Sequence, residues 1–113
     1  MATRRGYSQV EDPGWWHAGL MLAVIRYSVP EARAEEFELH AREVIDLFSA
    51  QSGFLRGQVG RSVDEPNLWA LVSEWEGAGF YRRALSAARM TMYPLMTLMI
   101  NEPGAFEQVY PKG

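Results

Sequence analysis

The stretch Leu68 to Trp75, LWALVSEW, constrains the fold more than any other part of the chain. Side chains alternate along a strand, so Leu68, Ala70, Val72 and Glu74 point one way and Trp69, Leu71, Ser73 and Trp75 the other. Neither set is suited to water. Leu20 to Val29, LMLAVIRYSV, has the same two-sided character, with Leu22, Val24 and Arg26 set against Ala23, Ile25 and Tyr27. It stops at Pro30, which cannot donate to a ladder. A chain of 113 residues, 48% hydrophobic and 22% charged, makes about one domain with one core. Strands apolar on both faces therefore need cover on both.

The remaining pattern supplies the cover for one face. Residues 1 to 18 read as an N-terminal arm, since Gly, Pro and mixed polar residues give neither strand nor helix period, and residues 19 to 113 as the folded domain. Trp15 and Trp16 in the arm are expected to dock on the domain or on a partner subunit. After the first strand, Pro30 and Glu31 suit a helix start, and Ala34, Phe37, Ala41, Val44, Ile45 and Phe48 form one helical stripe. Phe54 to Ser62 reads as a second strand, and Asp64-Glu65-Pro66-Asn67 as the hairpin turn into the third. Helical material is expected from about Phe80 to Ile100, with Ser86 as a candidate cap and Pro94 as a kink or restart. Ala105 to Tyr110 is the last strand. The order β-α-β-β-α-β is the ferredoxin-like split pattern of an α+β protein, an antiparallel sheet with helices on one face. Two helices cover one face only, so the other must be buried against something else. The simplest source is a second copy in a symmetric dimer.

Charge and composition exclude several classes of function. A net charge of -3 offers no clustered basic excess for nucleic acid or an anionic membrane. Arg82 and Arg83 read as a solvated helix face. With no cysteine there is no disulfide, thiolate metal site or Cys nucleophile, which points to the cytoplasm. No signal peptide or membrane-spanning run is visible. Two histidines far apart, without an acidic cluster, are poor material for a metal site.

Several short motifs, in this order and spacing, resemble the antibiotic biosynthesis monooxygenase superfamily of dimeric α+β barrels: a first strand ending in Arg26-Tyr27, SGFL at 52–55, SEWE at 73–76, ALS at 84–86 and NEPGAFEQVY at 101–110. The resemblance covers roughly residues 20 to 110. It implies a homodimer whose sheets face each other, with a pocket in each subunit between sheet and helices. The superfamily includes oxygenases that need no cofactor and act on polycyclic phenols, anthrones and quinols, as well as heme-degrading enzymes and proteins without assigned activity, so the fold does not fix the function. Heme-degrading relatives resemble one another in an Asn on the first strand, a Trp closing the third and an iron-ligating His in the second helical region. Here Trp75 matches, whereas Ile25 stands near the Asn position and Tyr93 near the His position, and no histidine follows residue 75. Ordinary heme ligation is disfavoured, although a tyrosine can ligate ferric heme.

Two readings of function stay open. In the first, the chain is a cofactor-independent monooxygenase that oxidises an electron-rich aromatic of phenol, anthrone or quinol type with O₂. Trp75, Tyr81 and Tyr93 are then the expected catalytic residues, supplying hydrogen bonds to a substrate anion. Trp69, Met90, Met96, Ile25, Tyr27 and His40 are expected around the substrate; polarizable methionines suit a flat ring system, and His40 is the candidate base. In the second, the same cavity stores or senses a small apolar ligand without turnover. Each of these residues also has a simpler role, the aromatics and methionines as core and His40 as a half-exposed helix residue. Arg26 is expected to pair with Glu74 across the sheet or to anchor substrate.

Overall fold

The computed structural model describes residues 19–111, so the arm at 1–18, with Trp15, Trp16 and His17, lies outside the described residues. Four strands form one antiparallel sheet in the order β2-β3-β1-β4: β1 is Met21–Ser28, β2 Phe54–Arg61, β3 Leu68–Trp75 and β4 Ala105–Glu107. The two strands that the sequence marks as apolar on both faces are the two interior ones. They pair along their whole length, from Met21 opposite Trp75 to Ser28 opposite Leu68. A long helix, α1, Ala34–Ser49, follows a 3₁₀ turn at Glu31–Arg33. The second helical region holds α2, Ala78–Ala87, the short α3, Arg89–Met92, and a 3₁₀ segment, Tyr93–Leu98. The expected ferredoxin-like α+β architecture is thus present.

The β1–β3 register separates the two faces. Met21, Ala23 and Tyr27 of β1 and Trp69, Leu71, Ser73 and Trp75 of β3 are buried beneath the helices. The α1 stripe meets them with Phe37, Ala41, Val44 and Phe48. The core is aromatic at both ends. Phe37 packs against Tyr27 and Trp69, with ring centroids at 5.0 and 5.3 Å. Trp75 sits among Phe48, Phe54 and Tyr81 at 5.3, 5.3 and 5.8 Å, the first two edge to face. On the opposite face Leu22, Val24, Ala70 and Val72 are only half-buried, and Phe106, directly opposite Leu22, is 47% exposed.

Local chemistry explains the connections. In the β2–β3 turn, the Ser62 hydroxyl accepts from the Asp64 and Glu65 amides, and the Arg61 Nε donates to the Pro66 carbonyl. Gly53, at φ +84, turns the chain from α1 into β2 where an added Cβ would strike the Phe80 ring.

Three expectations need correction. Ser86 caps nothing; the helix breaks at Ala88, whose amide still reaches the Ala84 and Leu85 carbonyls. Beyond it, from Tyr93, the chain tightens into the 3₁₀ segment with Pro94 in its first turn. The last strand is Ala105–Glu107 rather than Ala105 to Tyr110, because its partner β1 begins at Met21 and only the Gln108 amide, bonded to the Leu20 carbonyl, extends the pairing. Arg26 does not reach Glu74: Leu22 is the residue opposite Glu74, four residues or roughly 13 Å away along the strand. Glu74 instead pairs with Arg56 at 3.2 Å.

The Trp75 indole N–H donates to the Ser73 hydroxyl at 2.8 Å, with both residues fully buried. Ser73→Ala would orphan the N–H and Trp75→Phe would orphan the hydroxyl, so each is expected to cost about 1–3 kcal/mol. A double-mutant cycle read by urea unfolding should give a coupling of about 1 kcal/mol. Additive losses would show that the bond contributes nothing to stability.

Candidate functional site

A cavity of about 640 Å³ opens between β1 and the second helical region. Its formation follows from the packing. α1 runs along β2 and sets Phe37 and Phe48 against Tyr27, Trp69 and Trp75, whereas the second helical region stands over Ile25 of β1, on the side where β4 is only a short strip. The break at Ala88 and the turn at Pro94 bend this arch, and the bend leaves space beneath it. Ile25 forms the floor, and Leu85, Met92, Met96 and Met99 form apolar walls.

The polar groups are few. Tyr81 is 6% exposed, and burial pushes its phenol above the ordinary tyrosine value, so it stays protonated near neutral pH and acts as a donor. Tyr93 stands at the rim, 73% exposed. Arg26 and Glu102 close one side with a two-pronged ion pair, Nε to Oε2 at 2.7 Å and Nη2 to Oε1 at 3.0 Å. The hydrogen bond from Arg26 holds the Glu102 carboxyl below the usual range. The tie is therefore in place above the ordinary carboxylate pKa and is lost only as pH falls through the lowered value. It fastens the segment from Met99 to Gly104 to β1, together with the Ile100 amide on the Arg26 carbonyl at 2.8 Å and the Val24 amide on the Gly104 carbonyl at 2.7 Å. Arg82 and Arg89 complete the rim.

Of the residues expected around a substrate, Tyr81, Tyr93, Met96 and Ile25 line this cavity. Trp75 lies in the core behind Tyr81, its N–H turned to Ser73. Tyr27 is fully buried, and its hydroxyl has no partner among the described residues. Trp69 lies on the far side of Phe37, next to a smaller groove of about 480 Å³ between α1 and β2, with the Arg61 guanidinium 5.0 Å from its ring. His40 is on α1, its Nδ1 3.4 Å from Glu43 Oε1, away from the cavity. Met90 is 79% exposed.

The cavity residues of the second helical region, expected and overlooked alike, share one signal. From Ala78 through Tyr81, Arg82, Leu85, Arg89, Met92, Tyr93 and Met96 the spacing of three and four persists across the break at Ala88. Met90 falls out of phase with that stripe and points to solvent. Arg82, read as a solvated face, falls in phase.

Among the described residues, no group of three or more His, Cys, Asp and Glu could hold a metal ion, and no helix is long and apolar enough to cross a membrane. No curated protein matches the chain. Among solved structures, SnoaB, a cofactor-independent oxygenase from Streptomyces nogalater, superposes with a TM-score of 0.69 at 28% identity, covering 83% of this chain and 99% of that one. A protein from Nitrosomonas europaea superposes with a TM-score of 0.70 at 19% identity, covering 84% and 96%. A conserved protein of unknown function from Bacteroides thetaiotaomicron gives 0.72 at 14%, covering 80% and 99%. At these lower identities the likeness shows the fold alone. The family model for antibiotic biosynthesis monooxygenase matches residues 20–90, which spans β1 through α2 and the start of α3, and the chain therefore belongs to the antibiotic biosynthesis monooxygenase family.

Proposed function

We propose that this protein is a cofactor-independent monooxygenase that oxidises an electron-rich aromatic of phenol, anthrone or quinol type with O₂. The observation that carries the reading is the cavity, whose walls of Ile25, Leu85 and three methionines surround a single deeply buried donor, the Tyr81 phenol. The likeness to SnoaB at 28% identity supports the same reaction class. With anthrone as the example, the substrate anion passes one electron to O₂, and the substrate radical and superoxide recombine with formation of a C–O bond. The peroxide is protonated, and loss of the ring C–H proton with cleavage of the O–O bond then releases water and leaves the second carbonyl, so anthrone and O₂ give anthraquinone and water. The chain would supply orientation, exclusion of water and a hydrogen bond from Tyr81 to the anionic oxygen. Tyr93 would close over the ring from the rim.

One observation favours the second reading, a binding module without turnover. Among the described residues Glu102 is the only carboxylate at the cavity, and Arg26 holds it in the weakly basic ionised form. Oxygen uptake with anthrone and a quinol panel, corrected for buffer, decides between the two. A monooxygenase should consume one O₂ per quinone formed, and Tyr81→Phe should lower the rate on the order of 10²-fold. Tight binding with uptake no faster than buffer would leave the binding module. A heme-degrading role gains no support here, since among the described residues the cavity lining holds no histidine and the Trp75 N–H is engaged by Ser73.

The open sheet face supports a homodimer. Leu22, Val24, Ala70, Val72 and Phe106 form an apolar patch that a second copy would cover sheet against sheet, in keeping with two strands that are apolar on both sides. A cysteine-free chain suits a cytoplasmic setting. Sedimentation equilibrium at micromolar concentration should give twice the 12.8 kDa chain mass; a stable monomer would overturn the dimer.

A further inference from the structure

The mouth of the cavity has two features that no other described residue answers. Its rim is apolar and open, with Tyr93 73% and Met96 48% exposed beside Leu85. It is also positive. Among the described residues, neither Arg82 nor Arg89 lies within ion-pair distance of an acid, whereas on the open sheet face Arg56 is already paired with Glu74. A guanidinium has five donors and no acceptor, so an anionic group suits it. A cover for this mouth would therefore combine large apolar side chains with carboxylates.

The chain contains such a segment close by. Glu11-Asp12-Pro13-Gly14-Trp15-Trp16, which lies outside the described residues, sets two acids just ahead of two indoles. It connects through His17 and Ala18 to Gly19, whose carbonyl oxygen lies 3.7 Å from the place a Cβ on Gly77 would take. Gly77 precedes Ala78, the first residue of α2 and itself part of the cavity lining. The arm therefore leaves the domain at the foot of the helix that carries Arg82. At full extension Trp16 and Trp15 reach at most about 10 and 14 Å from Gly19, and Asp12 and Glu11 at most about 24 and 27 Å. Along the helical axis Arg82 stands about 8 Å and Arg89 about 18 Å from Gly77. The indoles thus fall within reach of the near rim, and the acids within reach of both arginines.

We propose that residues 11–16 fold over the mouth of the cavity of their own chain as a lid, with Trp15 and Trp16 against Leu85, Tyr93 and Met96, and with Glu11 and Asp12 at Arg82 and Arg89. Two adjacent indoles are unfavourable in water, and seating them on this rim removes apolar surface from water on both sides. The ion pairs fix the direction in which the segment lies, since exposed pairs add little to the strength of docking. A closed lid keeps water from whatever the cavity holds and slows its release. The inference concerns access to the cavity and stands with either reading of its function.

The chain has no cysteine, so a nitroxide on a Gln9→Cys variant marks the arm alone. Gln9 is ten residues from Gly19, far enough that the covalent connection does not itself place the label at the mouth. With methionine and valine methyls observed by NMR, the nitroxide should broaden the Met96 and Met99 signals and leave those of Val24 and Val72 on the open face sharp. The broadening should persist when this chain is diluted into an excess of unlabelled chain without nitroxide, which removes any contribution from a partner subunit. Trp15→Ala with Trp16→Ala should abolish it, and Glu11→Gln with Asp12→Asn should weaken docking about two- to fivefold. Met96 and Met99 signals no broader than those of Val24 and Val72 would overturn the lid, as would broadening that survives loss of both indoles. Disappearance of the broadening on dilution would overturn the assignment to the same chain. Docking unchanged by loss of the two acids would overturn the role of Arg82 and Arg89.

Discussion

The pairing of β1 with β3 is the contact on which the rest of the molecule depends. These two strands lie side by side at the centre of the sheet, in register from Met21–Trp75 to Ser28–Leu68, and they carry the apolar groups of both faces. Register in such a pair is strongly set, since a slip of one residue would exchange every buried side chain with one on the other face. Tyr27 and Trp69 are fixed opposite each other over Phe37, and Met21 is fixed opposite Trp75. Once this pair is in place, α1 has one surface onto which its Phe37, Ala41, Val44 and Phe48 stripe can close.

The cavity arises where that closure is incomplete. α1 is regular and long, and its side of the sheet is filled with interlocking rings. The second helical region is interrupted at Ala88 and again at Pro94; it meets the sheet through one ring, Tyr81 on Trp75, and around the opening it is lined by flexible methionines and Leu85. Methionine tolerates an irregular boundary because its unbranched side chain adapts to whatever lies opposite. The Arg26–Glu102 pair fastens the far edge of the opening, which keeps the segment from Met99 to Gly104 against β1 although β4 offers only a short ladder. A filled half and an open half on the same sheet face give a stable scaffold and a ligand space without a separate domain.

The sequence revealed what depends on period and strand chemistry. The two-sided strands, the α1 stripe and the β-α-β-β-α-β order could all be read from residue spacing, and so could the assignment of Trp69, Leu71 and Trp75 to one face of β3. Three-dimensional proximity was harder to read. Trp75 is the most buried large residue of its strand and closes the strand next to the turn at Gly77, yet Tyr81 comes between it and the cavity. His40 lies at the edge of the α1 stripe, but α1 covers the other half of the sheet, and its position along the helix says nothing of that. Arg26 found its acid in the loop at Glu102, not on the neighbouring strand, because β1 has an edge free for that loop beyond the end of β4. Met90 and Met96 look alike in a count of methionines, and both are exposed in part, but only Met96, in phase with the stripe, lines the cavity.

The central claim is that one sheet face, and not the other, holds the ligand beneath the second helical region. Methyl NMR of a protein labelled at methionine and valine, titrated with anthraquinone-2-carboxylate, measures this directly. The account predicts that the methyl signals of Met92, Met96 and Met99 shift as the ligand fills the cavity, while those of Val24 and Val72 on the open face stay in place. Shifts at Val24 and Val72 with silent methionines would contradict it.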